Sequence, residues 1–245
     1  MALLFRENEE KVFDTGAEKR FESSNAVIQK TYIVACNPMI MDVLLDPDKF
    51  FSERKNMGFK IPILIVLVSA VISCVSVYVT IDLNLSKIPA EGLEVNTLRT
   101  IMLTLGIVTA FIGTFIYWII IAGLLYLFSA IFGGKGDFKT LLKFTAFSYI
   151  PQILLSPISI YLAYESLYQL TVSQGPAFEA MLMPTIFGAV VLFWQYIYWI
   201  FAVKNARELN FSRSAISAGI LLIIAISFTA LGLLFALMTP MPRVG

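Results

Sequence analysis

Five stretches of this chain, residues 61–81, 100–132, 144–164, 180–203 and 214–242, contain no Asp, Glu, Lys or Arg. Each reaches the roughly 20 apolar residues that carry a helix across a hydrocarbon layer about 30 Å thick. Only a helix or a closed barrel satisfies every backbone N–H and C=O in lipid, and barrel strands alternate apolar and polar positions over about 10 residues. Residues 116–128 do not alternate. The pattern therefore predicts an all-α polytopic membrane protein. Its spans form a bundle of five transmembrane helices at about 61–81, 100–132, 144–164, 180–203 and 214–239, and the bundle as a whole covers 61–242.

Two of the spans are unusual. The second apolar stretch has 33 residues, about 50 Å as a helix, so it must tilt, bend or protrude from the bilayer. Gly106, Gly113 and Gly123 lie within it and predict sites of close helix packing. The third span carries Ser148, Tyr149, Pro151, Gln152, Ser156 and Pro157. Each proline removes one backbone hydrogen bond, and the freed carbonyls need partners inside the protein. This span is therefore expected to face the bundle interior. Its hydroxyls and Gln152 then either bond across to neighbouring helices or line a small cavity or pathway.

Outside the spans, residues 1–36 mix charges of both signs and read as a cytoplasmic N-terminal arm. In residues 37–60, Asn37-Pro38 and Asp46-Pro47 each pair a capping side chain with proline at a first helical position. Two short interfacial helices follow, the second running from Pro47 to about Met57. The second is expected to lie on the cytoplasmic membrane surface, with Phe50 and Phe51 toward lipid and Lys49, Arg54, Lys55 and Lys60 toward anionic headgroups; a solvated linker is the plainer alternative. Gly133-Gly134-Lys135-Gly136 should turn the chain tightly before Asp137 caps the next helix. Trp194, Tyr196, Tyr198 and Trp199, near Lys204, read as an interfacial aromatic belt.

Charge changes the picture by setting sidedness. Net charge is +1, but fifteen of the 18 basic residues lie before the first span or in the second and fourth connections. By the positive-inside rule the N-terminus is cytoplasmic and the C-terminus external. No secretory leader is visible, and Cys36 and Cys74 are expected to be free thiols at different depths. The chain has no His, the commonest metal ligand and neutral-pH base. No nucleophile-and-base set, carboxylate pair or metal-ligand spacing occurs, so no catalytic residue, cofactor or metal is expected, and nothing points to nucleic acid.

The order of these features resembles a known family. Asp-Pro-Asp-Lys-Phe-Phe at 46–51, a short basic linker, a proline-started first span and the run FGGKGDFKTLLKFTAFSYIP at 132–151 are similar to the Yip family of Ypt-interacting, Rab-associated membrane proteins. The resemblance covers about residues 44–239. It implies five spans with a cytoplasmic N-terminus, the topology that the charges also give. Eukaryotic members sit in Golgi and endoplasmic reticulum membranes, bind Rab-type GTPases and each other, and help shape transport vesicles. Their Asp-Leu-Tyr-Gly-Pro motif is absent here. The 132–151 run looks more like the bacterial and archaeal branch, which implies a prokaryotic cell membrane, with the Golgi or endoplasmic reticulum as the alternative.

The expected function is a non-catalytic membrane protein that binds partners or organises membrane. Its partners would be anionic lipids at the cytoplasmic face, a cytoplasmic protein (a GTPase by family analogy only), or a second copy of the chain. The spans lack the buried charges that transporters and pumps keep along their pathways. A small channel or solute transporter using the proline-broken third span remains the second reading.

Overall fold

The computed structural model describes residues 38–85, 93–171 and 177–238. It divides into two units, one ending at Phe50 and the other beginning at Phe51. In the first, α1 (Pro38–Leu45) starts on proline, as expected. Helix α2 (Pro47–Glu53) begins in this unit and runs into the second. Asp46 Oδ1 accepts the Lys49 N–H at 3.0 Å, so the predicted N-cap forms. Helix α2 ends at Glu53, short of Met57, and a turn closed by Met57 N–H on Arg54 O follows.

The second unit contains the five spans. Helices α3 (Lys60–Leu85) and α4 (Leu93–Ile131) are the first two. The third is composite, made of α5 (Phe138–Thr145), a 3-10 turn (Ala146–Tyr149) and α6 (Ile150–Thr171). Helices α7 (Ala177–Arg207) and α8 (Phe211–Met238) complete the set. All five are long and apolar enough to cross a membrane. Their adjacency runs round a ring, α3 to α4 to α8 to α7 to α6 and back to α3, while α5 packs against α4 and α7. The third span is thus longer than residues 144–164, because the amphipathic α5 leads into it.

The proline-broken span shows how its freed carbonyls are satisfied. Pro151 is the second residue of α6 and cannot donate to Phe147 O. The Ile150 N–H supplies that bond, closing the 3-10 turn. Pro157 leaves Ile153 O without its helical donor, and Ser156 Oγ donates to it at 2.8 Å. Pro184 interrupts α7 in the same covalent way.

Packing of α3 on α4 depends on Gly106, where a Cβ would come within 2.7 Å of Ile81 Cδ1 and 2.9 Å of Val77 Cγ1. The expectation that Gly113 and Gly123 are also packing sites is corrected, because a Cβ at either would meet nothing within 4 Å. Along the same interface the Cys74 thiol, which is free, points to Ile107 O at 3.6 Å, and Arg99 pairs with Asp82. Val66, Trp118, Ala146 and Tyr149 form a buried cluster where α3, α4 and the 3-10 turn meet.

Candidate functional site

One end of the second unit is built from three connections. Helix α4 ends in a Schellman motif: Gly133 takes φ +84°, its N–H donates to Ala130 O, and Gly134 N–H donates to Ser129 O, each at 3.0 Å. Glycine is needed at 133 for the left-handed backbone and at 136 for a different reason. A Cβ on Gly136 would lie 1.6 Å from Ala206 O, so this turn rests directly on the last turn of α7. Lys135 N–H donates to Arg207 O at 3.0 Å across the same contact. The chain then enters α5, whose N-cap Asp137 accepts the Thr140 N–H at 3.1 Å. Hydrogen bonding to Thr140 holds the Asp137 carboxyl below its usual range, against a smaller opposing effect of burial.

Arg207 fastens the connections together. The residue is 3% exposed, its Nε donates to Ser129 Oγ at 3.0 Å, and its Nη2 donates to Gly134 O. The guanidinium carbon lies 4.0 Å from the centroid of the Tyr126 ring. None of these partners is a carboxylate. Neutral acceptors, a π face and the carbonyl end of α7 hold the charge instead. Helix α7 stops just beyond it: Glu208 takes φ 56° and Leu209 N–H donates to Lys204 O at 3.2 Å.

The segment before the first span is fixed to α5. Lys143 Nζ donates to Met57 O at 3.0 Å and Lys55 O at 3.3 Å, and lies 5.8 Å from the Phe59 ring centroid. Lys55 also meets Glu208 at 3.5 Å, an exposed pair worth about 0–1 kcal/mol. The Phe51 ring is fully buried, 4.7 Å from Phe144 and 5.8 Å from Phe147 between centroids. This corrects the expectation that Phe50 and Phe51 face lipid: Phe51 is an anchor into the protein, and Phe50 is buried too. Burying a phenylalanine contributes about 1.5–3 kcal/mol, which a ring packed on two others gains without entering the bilayer. Lys49 and Lys60 remain exposed and Arg54 half-buried.

The third-span residues divide differently. Ser148, Tyr149, Pro151 and Ser156 are buried, Gln152 is half-buried, and Pro157 is exposed. Pro157 therefore belongs to the outer face of α6 and leaves the expected polar interior. Gln195 Nε2 donates to Gln152 Oε1 at 3.3 Å, joining α7 to α6. Ser148 Oγ donates to Thr145 O at 2.8 Å and Tyr149 Oη to Thr114 O at 3.5 Å. The aromatic-belt expectation also needs correction: Tyr198 and Trp199 are each 1% exposed and belong to the core.

Sequence reasoning used Arg207 and Lys143 only as markers of sidedness. Their roles depend on contacts with residues 78 and 86 positions away in the chain, which no local pattern reveals. Nearer the middle of the spans, α4, α7 and α8 line an apolar cleft of about 770 Å³ that includes Leu124, Leu192 and Leu221. No group of three or more metal-ligating side chains occurs among the described residues.

Five membrane-length apolar helices define a multi-pass membrane protein. Residues 41–234 match the model of the Yip1 domain, and the chain belongs to that family. An uncharacterized protein of Methanocaldococcus jannaschii is 33% identical over 127 residues, which is 51% of this chain and 88% of that protein. No solved structure matches the chain.

Proposed function

We propose that this protein is a non-catalytic membrane protein that gathers anionic lipid, and through it or beside it a protein partner, at its cytoplasmic face. The observation that carries the reading is the contrast between a rigidly fastened end and the bases it leaves outward. Gly136, Arg207, Lys143 and Phe51 fasten the connections, while Lys60, Lys135, Lys139 and Arg213 stand exposed with no carboxylate partner among the described residues. Each base near an anionic surface contributes about 1 kcal/mol, so a few suffice to bias which lipids collect there. Arg54 and Lys55 add to the same charge, reduced by Glu53 and Glu208. The positive-inside distribution supports a cytoplasmic position for this end, and the archaeal relative supports a prokaryotic cell membrane.

The test compares the lipids that co-purify with the intact protein and with a variant carrying Lys60, Lys135, Lys139 and Arg213 as Gln. Wild type should enrich anionic lipids over the bulk membrane, and the variant should lose that enrichment. Identical lipid profiles would sink the proposal. Solute or ion flux in proteoliposomes well above protein-free controls would instead favour a channel.

A further inference from the structure

Trp199 Nε1–H is fully buried and has no acceptor among the described residues, although leaving such a donor unmatched costs about 1–3 kcal/mol. Its side chain lines a pocket of about 10 Å³ between α4, α7 and the composite third span, together with Thr145, Ser148, Tyr149 and Gln195. The hydrogen-bonding state of these neighbours is informative. Thr145 Oγ1 donates to Leu142 O, Ser148 Oγ to Thr145 O and Tyr149 Oη to Thr114 O, so all three hydroxyl protons are engaged elsewhere. One Gln195 amide N–H is engaged by Gln152 Oε1. The three hydroxyl oxygens and Gln195 Oε1 keep lone pairs. Tyr117, Trp118 and Ile121 complete the lining, the Trp118 indole N–H being engaged by Leu142 O, so the unmatched Trp199 donor faces several oxygen acceptors and no charged residue.

We propose that this pocket binds one ordered water molecule, which accepts from Trp199 Nε1–H and donates to two of the oxygens of Thr145, Ser148, Tyr149 and Gln195. The stoichiometry matches water, which carries two donors and needs one acceptor site here. A metal cation would be repelled by the indole N–H, and a lipid hydroxyl has only one proton to give. Size points the same way, since a cavity needs roughly 10–15 Å³ of probe-occupied volume to hold a single water and polar partners to fix it. The water completes the hydrogen bonding of the interior where α7 meets the proline-broken span.

The protein supplies its own reference for a test. Trp118 Nε1–H donates to Leu142 O at 2.9 Å, so its indole proton should resonate downfield, as a hydrogen-bonded group does. In full-length protein labelled with ¹⁵N at the indoles and held in nanodiscs, Trp199, assigned by Trp199→Phe, should resonate downfield like Trp118 and show a cross-peak to water. Ser148→Val, which places a methyl group in the pocket, should move the Trp199 signal upfield and abolish the cross-peak while leaving Trp118 in place. Thr145→Val serves if Ser148→Val does not fold, with partial loss expected as one acceptor is removed. An upfield Trp199 signal without a water cross-peak in folded wild type overturns the proposal. So do cross-peaks from Trp199 Nε1–H to lipid acyl protons in place of water.

Discussion

At the scale of single residues, the two glycines of the turn after α4 separate backbone strain from collision. Gly133→Ala meets open space and costs only the left-handed conformation, about 1–2 kcal/mol. Gly136→Ala drives a methyl into Ala206 O and must displace the turn from α7. Thermal melting of the solubilised protein should therefore fall further for Gly136→Ala than for Gly133→Ala; the reverse order would show that the turn does not rest on α7. Asp137 gives a pH dependence with a definite sign. Its folded-state pKa is lowered, so the stability it adds is present above the ordinary carboxylate range, near about 3.9, and is lost as pH falls through the folded value. Asp137→Ala should cost about 1 kcal/mol at neutral pH. Asp137→Asn should retain most of the cap and flatten the acid limb of the melting profile; an unchanged acid limb would place that dependence on another group. The turn glycines and this cap were legible in the sequence because their chemistry is local. The burial of Phe51 was not, since an aromatic beside several bases has the same pattern whether its ring meets lipid or Phe144.

Among the elements, the third span is where local chemistry and tertiary packing divide the work. Its prolines predicted broken backbone bonds, and the Ile150 N–H and Ser156 Oγ are the groups that repair them. Ser156→Ala should leave Ile153 O unmatched and lower stability by about 1–3 kcal/mol. Ser156→Thr, which keeps the hydroxyl, should restore most of it. Equal melting of both variants and wild type would mean that the freed carbonyl has no need of the serine. Gln152→Leu removes the bond to Gln195 and should destabilise by roughly 0.6–2 kcal/mol, the range for interhelical side-chain bonds in membranes. A neutral or stabilising result would remove that bond from the account of the bundle. The sequence marked this span as polar but could not assign faces, because residues 146–149 form a 3-10 turn that resets the helical phase before Pro157. Pro157 consequently falls on the outer face.

For the whole molecule, the five spans could be read from charge-free length alone, since lipid leaves so few alternatives for a backbone. Their order round the ring could not, because apolar helices of similar composition carry no address for one another. Orientation is open to a direct check. A membrane-impermeant thiol reagent should label a cysteine introduced by Gly245→Cys in intact cells, and should reach Cys36 only after the membrane is opened; labelling of Cys36 from outside would invert the topology. The ring order also bears on biogenesis. Neighbours in sequence, α3 with α4 and α7 with α8, can pair as they leave the translocation machinery, whereas α4 must wait for the final span before its side of the ring closes. The junction of α4, α7 and α8 is also where the apolar cleft lies, so the last seam to be sealed during synthesis is one that the protein's own side chains do not fill.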